Sequence, residues 1–145
     1  MQNPHGELMH LSLVPHTHID QAWADGAFKL ADACDESGGE ITADQLKLML
    51  SRGERMLFAG VHLGKPIGWI VIRVDQLPNL RALHICELYA PGALFDDFFE
   101  QLNDLAKQHG CSEIRCSAKP AQARLYRMRF GFEPVYETLK VRTRP

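Results

Sequence analysis

The chain has 145 residues, of which 46% are apolar and 23% are charged, and its formal net charge is −2. This length is typical of one domain with its own core, and the composition excludes an intrinsically disordered chain. No apolar run approaches the roughly 20 residues of a membrane-spanning helix, and the N-terminus lacks the basic and then apolar pattern of a signal peptide. We therefore expect a single domain over residues 1–145, made in the cytoplasm and not bound to a membrane.

The chain begins with a strand pattern that is followed by a helix pattern. Residues 8–14 are largely apolar and are closed by Pro15, which cannot donate to a β-ladder. Apolar positions then recur at helical spacing over residues 19–34, and Gly26 weakens this pattern slightly. The sequence predicts one strand and one helix here.

Next comes a short helix and a hairpin. Thr42 and Gln45 have the spacing of a capping box, and Gly53 is placed as a C-terminal stop. Residues 55–63 and 66–74 are rich in apolar and β-branched residues and are joined at Gly64-Lys65. This pattern predicts an antiparallel hairpin.

The second half of the chain predicts three strands and two helices. A break at Pro91-Gly92 precedes the longer helix, which is amphipathic and which Gly110 ends. In chain order the expected elements are a strand at 81–90, the long helix, a strand at 112–118, a helix at 119–130 and a last strand at 132–142. The complete order is β-α-α-β-β-β-α-β-α-β, a mixed α/β class with about six strands and about four helices.

Cysteines and histidines do not suggest a metal centre. The cysteines lack both a paired framework and the two-residue gaps of a zinc or redox site, which favours free buried thiols; they are Cys34, Cys86, Cys111 and Cys116. His16 and His18 are separated by one residue, which does not place both on one helix face. The sequence therefore predicts no metal.

The order of elements and the ending RLYRMRFGFEPVYETLKV resemble the GNAT superfamily, whose last helix and strand are joined by a Gly-Phe pair such as Gly131-Phe132. The segments SGGEIT and CELYAPGALFDDFFEQLNDLAKQHGCSEI are, with that ending, similar to GNAT-like proteins encoded by tailed phages. The resemblance covers nearly the whole chain. It implies a GNAT fold, and acetyl-CoA or another acyl-CoA as the cofactor.

The resemblance also implies where the cofactor lies. The strands at 81–89 and 112–117 would part around its pantetheine arm, and the N-terminal amides of the long helix would face its pyrophosphate, as the helix dipole favours. The residues implied to bind the cofactor are Leu88, Tyr89, Gly92, Ala93 and Leu94. The chain departs from the family pattern, because Gly92 alone remains of the glycine-rich turn and Asp96 and Asp97 bring negative charge to the same helix end.

Two catalytic residues follow from the resemblance, Glu87 as general base and Tyr126 as the acid for the leaving thiolate. Strand alternation places Glu87 on one face with Leu83, Ile85 and Tyr89, and burial there would raise its pKa. His84, on the opposite face, is the alternative base. Tyr126 lies one place before the usual position of the acid, and its alternative role is that of an aromatic core residue.

Charge is distributed unevenly. Residues 115–145 carry eight basic and two acidic groups, against eight and sixteen in residues 1–114. Such a basic surface suits phosphate or an acidic partner, or its arginines pair within the domain. Its expected members are Arg124, Arg127, Arg129, Arg142 and Arg144.

Two functions fit these observations. The first is a phage-encoded binding or virion-associated GNAT-fold component with eroded catalytic motifs, found in the virion or the host bacterial cytoplasm, with other virion proteins or a second copy of itself as partners. The alternative is an acyl-CoA-dependent N-acetyltransferase that acts on an amine. An open cleft with Glu87 facing it would favour the enzyme, and a cleft filled by Phe95, Phe99 or Tyr89 would oppose it.

Overall fold

The computed structural model describes residues 9–145, which form a mixed sheet of five strands in the order β1-β2-β3-β4-β5. The strands are β1 (Met9–Val14), β2 (Met56–His62), β3 (Lys65–Gln76), β4 (Arg81–Tyr89) and β5 (Glu113–Cys116). The helices are α1 (Ile19–Asp25), α2 (Ala31–Asp35), α3 (Ala43–Ser51), α4 (Leu94–Gln108) and α5 (Pro120–Phe130). The mixed α/β class predicted from the sequence is confirmed; Leu8, the first residue of the predicted first strand, lies outside the described residues.

Strands β1 to β4 are antiparallel, and β5 runs parallel to β4 after the crossover through α4. The predicted hairpin is confirmed. Its two turn residues are Leu63 and Gly64, with φ of 51° and 75°, so the turn lies one residue earlier than the Gly64-Lys65 connection that the sequence suggested. Two successive positive φ values match the twist of a two-residue hairpin.

The single helix predicted over residues 19–34 is wrong. Gly26 has a φ of 139°, which ends α1, and a 3₁₀ turn over Ala27–Leu30 leads into α2. A Cβ at Gly26 would lie 3.2 Å from Nε1 of Trp69, so the glycine also lets the chain approach the sheet. The break gives five helices instead of about four.

The start of α3 agrees with its sequence signal. The Thr42 hydroxyl accepts from the Gln45 amide at 3.2 Å, and the Gln45 side chain accepts from the Thr42 amide at 3.0 Å. The helix ends before Gly53, which has a φ of 73°. This capping box satisfies two amides that the first turn would otherwise leave without partners.

The sheet separates two apolar clusters. On one face, α4 and α5 pack over β-strand residues around the fully buried Phe98; on the other, α1 to α3 cover residues around Val71 and Trp69. Gly60 and Gly68 lie beneath α4, where a Cβ on either would overlap with the ring of Phe98. These glycines let the helix lie close to the sheet, which strengthens the packing of the first cluster.

The last predicted strand, over residues 132–142, is absent. Phe132 packs against the first cluster, but residues 133–145 form no strand, and every one of them is exposed. A strand needs a neighbouring strand to pair with, and the described chain brings none to this segment. The sheet accordingly has five strands instead of about six.

Candidate functional site

Glu87 lies at a bulge in β4. Val71 pairs with Glu87 and Ile72 pairs with Ile85, so Cys86 is an extra residue in the ladder. The bulge turns Glu87 toward the face covered by α1 to α3, whereas Leu83 and Ile85 belong to the opposite cluster. The prediction that Glu87 shares a face with Leu83 and Ile85 is therefore wrong, because an extra residue inverts the alternation beyond it.

The Glu87 carboxylate is buried and paired with Arg55. Only 8% of Glu87 is exposed, and Nη1 of Arg55 donates to Oε1 at 3.0 Å and to Oε2 at 3.1 Å. Burial raises the pKa of Glu87, and the neighbouring Arg55 guanidinium opposes that shift. The expected burial and raised pKa are confirmed, but Arg55, which lies 32 residues away, had no signal in the sequence.

Other ionisable groups lie on the same face as Glu87. His84 lies opposite to Leu83 and Ile85, and the bulge brings Glu87 to the same face as His84, whereas alternation predicted opposite faces for the two. The pKa of His84 is lowered by burial and by the charge of Arg73. Burial raises the pKa of Cys34 to about 11 and that of Cys86 to about 11, so both thiols stay protonated at neutral pH. Glu87 and His84 are consequently the candidates for a base on this face.

A lateral opening begins beside Glu87. β4 and β5 pair from Ala82 and Glu113 to Ile85 and Cys116; β5 ends there, whereas β4 continues to Tyr89. Within residues 9–145, the β4 backbone beyond the bulge has no strand partner on the β5 side. Strands that part in this way leave extended backbone groups that a ligand's amides can pair with.

The residues implied to bind the cofactor extend from this opening to the start of α4. Leu88 packs against the first cluster and Tyr89 against the second, so the end of β4 presents side chains to both faces. Gly92 has a φ of 65°, which turns the chain, and Ala93 is the N-cap of α4 and uses no side chain to cap it. Both of these residues are exposed.

The first turn of α4 has two amides without a hydrogen-bond partner. The amide of Leu94 donates to the Pro91 carbonyl at 3.4 Å, and that of Asp96 donates to the Ala93 carbonyl at 3.1 Å. Within the described chain the amides of Ala93 and Phe95 have no such acceptor. N–H groups without acceptors at the positive end of a 15-residue helix favour an anion; Ala93 is exposed, whereas Phe95 is buried.

The two aspartates of this turn differ. Asp97 is buried, whereas Asp96 is partly exposed and forms a short ion pair with Nη2 of Arg129 on α5. The pair places a guanidinium beside the start of α4. Sequence spacing could not show this, because the two residues are 33 positions apart.

Tyr126 lies on the other face of the sheet from Glu87. Its ring stacks on Phe95 with centroids 5.1 Å apart, and its hydroxyl accepts from Nε2 of Gln122 at 2.8 Å. Burial raises its pKa. Phe99, Phe130 and Phe132 complete an aromatic group between α4 and α5. The structure therefore supports the role of Tyr126 as a packed aromatic residue, and its role as an acid stays a prediction.

A cavity of about 220 Å³ lies on the same side as the Glu87 carboxylate. Arg55 lines it together with residues from the end of β1, the start of α1 and the end of α3, among them Val14, Ile19 and Leu50. Arg55 is the one lining residue that also contacts Glu87; the rest of the lining comes from the β1 and β2 side of the sheet.

The five arginines predicted for the basic surface are all exposed. Arg129 is the one with an acidic partner in the described chain, Asp96. In residues 9–145 no three His, Cys, Asp or Glu side chains are grouped as metal ligands. No helix in that part of the chain is long and apolar enough to cross a membrane.

No protein-family model matches the chain, and no curated protein is similar to it in sequence. Solved structures are similar in fold. The ribosomal-protein-alanine N-acetyltransferase of Brucella melitensis biovar Abortus 2308 matches with a TM-score of 0.68 and 13% identity, over 93% of this chain and 99% of that one. An acetyltransferase of Trypanosoma brucei matches with a TM-score of 0.61 and 11% identity, over 93% and 99%.

A third similar structure, AAC(6')-Iy, was solved with the bisubstrate analogue CoA-S-monomethyl-acetylneamine. It has a TM-score of 0.63 and 12% identity, over 94% of this chain and 99% of that one. These matches extend over nearly the whole chain, and they confirm the GNAT fold that the sequence resemblance implied.

Proposed function

We propose that the protein transfers an acyl group from an acyl-CoA to an amine. The observation that carries this proposal is that β4 continues beyond Ile85 without a partner after β5 ends at Cys116, and that Glu87 lies on this unpaired part of β4. A buried carboxylate with a raised pKa has the properties of a general base. The solved structures that are similar in fold include acetyltransferases, which favours this function over the binding or virion role.

The two reactants would bind on different faces of the sheet. The start of α4, with its two amides without acceptors and the nearby Arg129 guanidinium, suits the phosphates of CoA. The Glu87 carboxylate lies on the opposite face, which suits the amine. The gap between β4 and β5 would join the two sides.

The chemistry at Glu87 is proton removal. Its carboxylate would accept a proton from the attacking amine, directly or through a water, as the new C–N bond forms. Acyl-CoA supplies an activated acyl carbon and a thiolate that leaves with the electrons of the C–S bond. Arg55 keeps the carboxylate ionised and oriented, so it acts as a positioning residue.

Tyr126 is a weaker part of the proposal. Burial raises its pKa above the ordinary value, whereas a free thiol has a pKa of about 8.5. Because the tyrosine has the higher pKa, proton transfer from its hydroxyl to the leaving thiolate is thermodynamically unfavourable. We expect Tyr126→Phe to lower turnover much less than a change at Glu87.

The experiment is a thiol-release assay with acetyl-CoA and a panel of primary amines, in which Glu87→Gln is compared with His84→Gln. If Glu87 is the base, the Gln variant keeps acetyl-CoA affinity and loses roughly a hundredfold in turnover. His84→Gln changes a group on the same face and should retain most of the turnover.

Two results would count against this function. Equal turnover in wild type and Glu87→Gln would remove Glu87 as the base, and loss confined to His84→Gln would transfer that role to His84. If the wild type neither binds acetyl-CoA nor releases thiol, the enzyme proposal fails. The binding or virion role, with the exposed arginines as its surface, would then be the better one.

A further inference from the structure

Helix α5 carries large apolar side chains on two sides. Tyr126 is buried in the first cluster, whereas Leu125 and Met128 lie on the outer side of the helix and are 44% and 85% exposed. Arg124 and Arg127 flank them, and both are exposed. Methionine and arginine around an apolar centre are typical of surfaces that bind another protein. These four outer residues are called the α5 face.

The charge around α5 is positive. Residues 115–132 carry five basic and no acidic groups. Two of the basic groups form ion pairs with carboxylates of the same chain. The other three have no ion pair within residues 9–145, and they are Lys119, Arg124 and Arg127. A partner for the α5 face is therefore expected to be acidic.

The helices on the other face of the sheet have the opposite charge. Residues 19–51, which contain α1 to α3, carry seven acidic and two basic groups. Phe28, Asp32 and Asp35 follow one another at helical spacing, from the turn that leads into α2 to the end of α2, and all three are exposed. Neither carboxylate has an ion pair in the part of the chain that the structure describes. These three residues are called the α2 face.

The α5 face and the α2 face cannot meet within one molecule. Helix α5 packs on the first cluster and α2 on the second, and the sheet lies between the two clusters. A basic face with exposed Leu125 and Met128 and an acidic face with exposed Phe28 can therefore contact each other only between molecules. Because every copy of the chain carries both faces, a second copy is a partner that has the required charge and the required apolar side chain.

We propose that copies of this chain associate head to tail, with the α5 face of one copy on the α2 face of the next. The two arginines of the α5 face would pair with the two carboxylates of the α2 face, and Met128 would pack on Phe28. Such a contact joins two different surfaces, so copies continue to add until the assembly closes as a ring. This association does not depend on acyl transfer, and neither result decides the other.

The test is the mass of the full-length protein in solution, measured by light scattering and sedimentation over a series of concentrations. The mass of the wild type should rise above that of one chain with concentration and should fall when salt is added, because salt screens the charged pairs. Arg124→Glu with Arg127→Glu should raise the dissociation constant roughly a hundredfold, since the reversed charges repel the α2 face. Both residues are exposed, so circular dichroism should show an unchanged fold.

A matched control makes the same change of charge elsewhere. Arg142→Glu with Arg144→Glu also reverses two exposed arginines, and it should leave the association unchanged. Leu125→Ser with Met128→Ser tests the apolar part of the α5 face without a change of charge. This variant should weaken the association roughly tenfold, because apolar side chains at the contact are lost.

The α2 face is tested by its own variant. Asp32→Lys with Asp35→Lys reverses the charge of that face, so this protein should be a monomer at concentrations where the wild type associates. An equimolar mixture of this variant with Arg124→Glu, Arg127→Glu should associate again, because every α5 face then meets an α2 face of opposite charge in the mixture. Circular dichroism verifies that both variants are folded.

Three outcomes would overturn the proposal. The first is a wild type that is a monomer at every concentration, which would leave the α5 face to an acidic partner of another kind. The second is an association that either charge-reversed variant leaves intact or that the control variant disrupts equally. The third is an equimolar mixture that stays monomeric although both variants are folded.

Discussion

Strands β1 and β5 both stand at an edge of the sheet, and the chain treats the two edges in opposite ways. At β1, the Gln101 side chain of α4 accepts from the Leu11 amide at 2.7 Å and donates to the Met9 carbonyl at 3.1 Å. At β5 no side chain or strand of the described chain does this. Natural sheets cover an edge or keep it for pairing. The β1 edge is therefore covered within the chain, whereas the β5 edge is open in the part of the chain that the structure describes.

The largest expected effect is a loss of stability from the core beneath α4. Phe98 is fully buried and packs on Gly60 and Gly68, so Phe98→Ala leaves a cavity that the glycines cannot fill. We expect the free energy of unfolding to fall by about 4 kcal/mol. Urea denaturation measures this, and a loss below about 1 kcal/mol would show that α4 does not pack on the sheet as described.

The second effect concerns the buried pair at the opening. Arg55→Met leaves the Glu87 carboxylate without its guanidinium, which should cost about 3 kcal/mol at neutral pH and raise the pKa of Glu87 further. A raised carboxyl pKa in the folded state favours folding as the group takes up a proton.

The loss in Arg55→Met should accordingly shrink as the pH falls through the folded-state pKa. Urea denaturation at a series of pH values follows this change. A loss that is independent of pH would mean that Arg55 contributes by packing and not by its charge.

The next effect tests the capped edge directly. Gln101→Leu keeps a side chain of similar size but leaves the Leu11 amide and the Met9 carbonyl without their partner, at an expected cost of about 2 kcal/mol. Gln108→Leu, the same change at an exposed position of α4, is the control. If both variants lose equal stability in thermal denaturation, Gln101 does not cap the edge.

The smallest effect is expected in the C-terminal segment of residues 133–145. Tyr136→Ser removes an aromatic ring that is exposed, so the free energy of unfolding should change by less than about 0.5 kcal/mol. Urea denaturation measures this change. A cost of about 2 kcal/mol would mean that the segment packs on the domain.

Local signals explain which elements the sequence predicted. The capping box at Thr42 and the two separated apolar runs of the hairpin are each read within a few residues, and the structure has both. The break at Gly26 was missed because a glycine in a helical pattern does not show by itself that it takes a positive φ, and Trp69, which lies against it, is on a distant strand. The last strand was predicted from its composition alone, whereas a strand forms only where another strand receives it.

The candidate site depended more on contacts between distant residues. Alternation gave Glu87 the face of Leu83 and Ile85, but the bulge at Cys86 moves Glu87 to the opposite face, which it shares with His84. The partners Arg55 and Arg129 are separated from Glu87 and Asp96 by more than 30 positions. No periodic pattern encodes such pairs, so sequence reasoning named Glu87 as a candidate base but not the arginine that binds it.

The central claim is that acyl-CoA binds where β4 and β5 part. The most direct measurement is a titration of the isotopically labelled protein with acetyl-CoA, followed by the amide resonances of the backbone. We expect saturable shifts of the amide resonances that are concentrated in residues 87–96 and 116–118, with β1 unaffected. No shift at any acetyl-CoA concentration, or shifts confined to residues 133–145 and the exposed arginines, would contradict binding at this place.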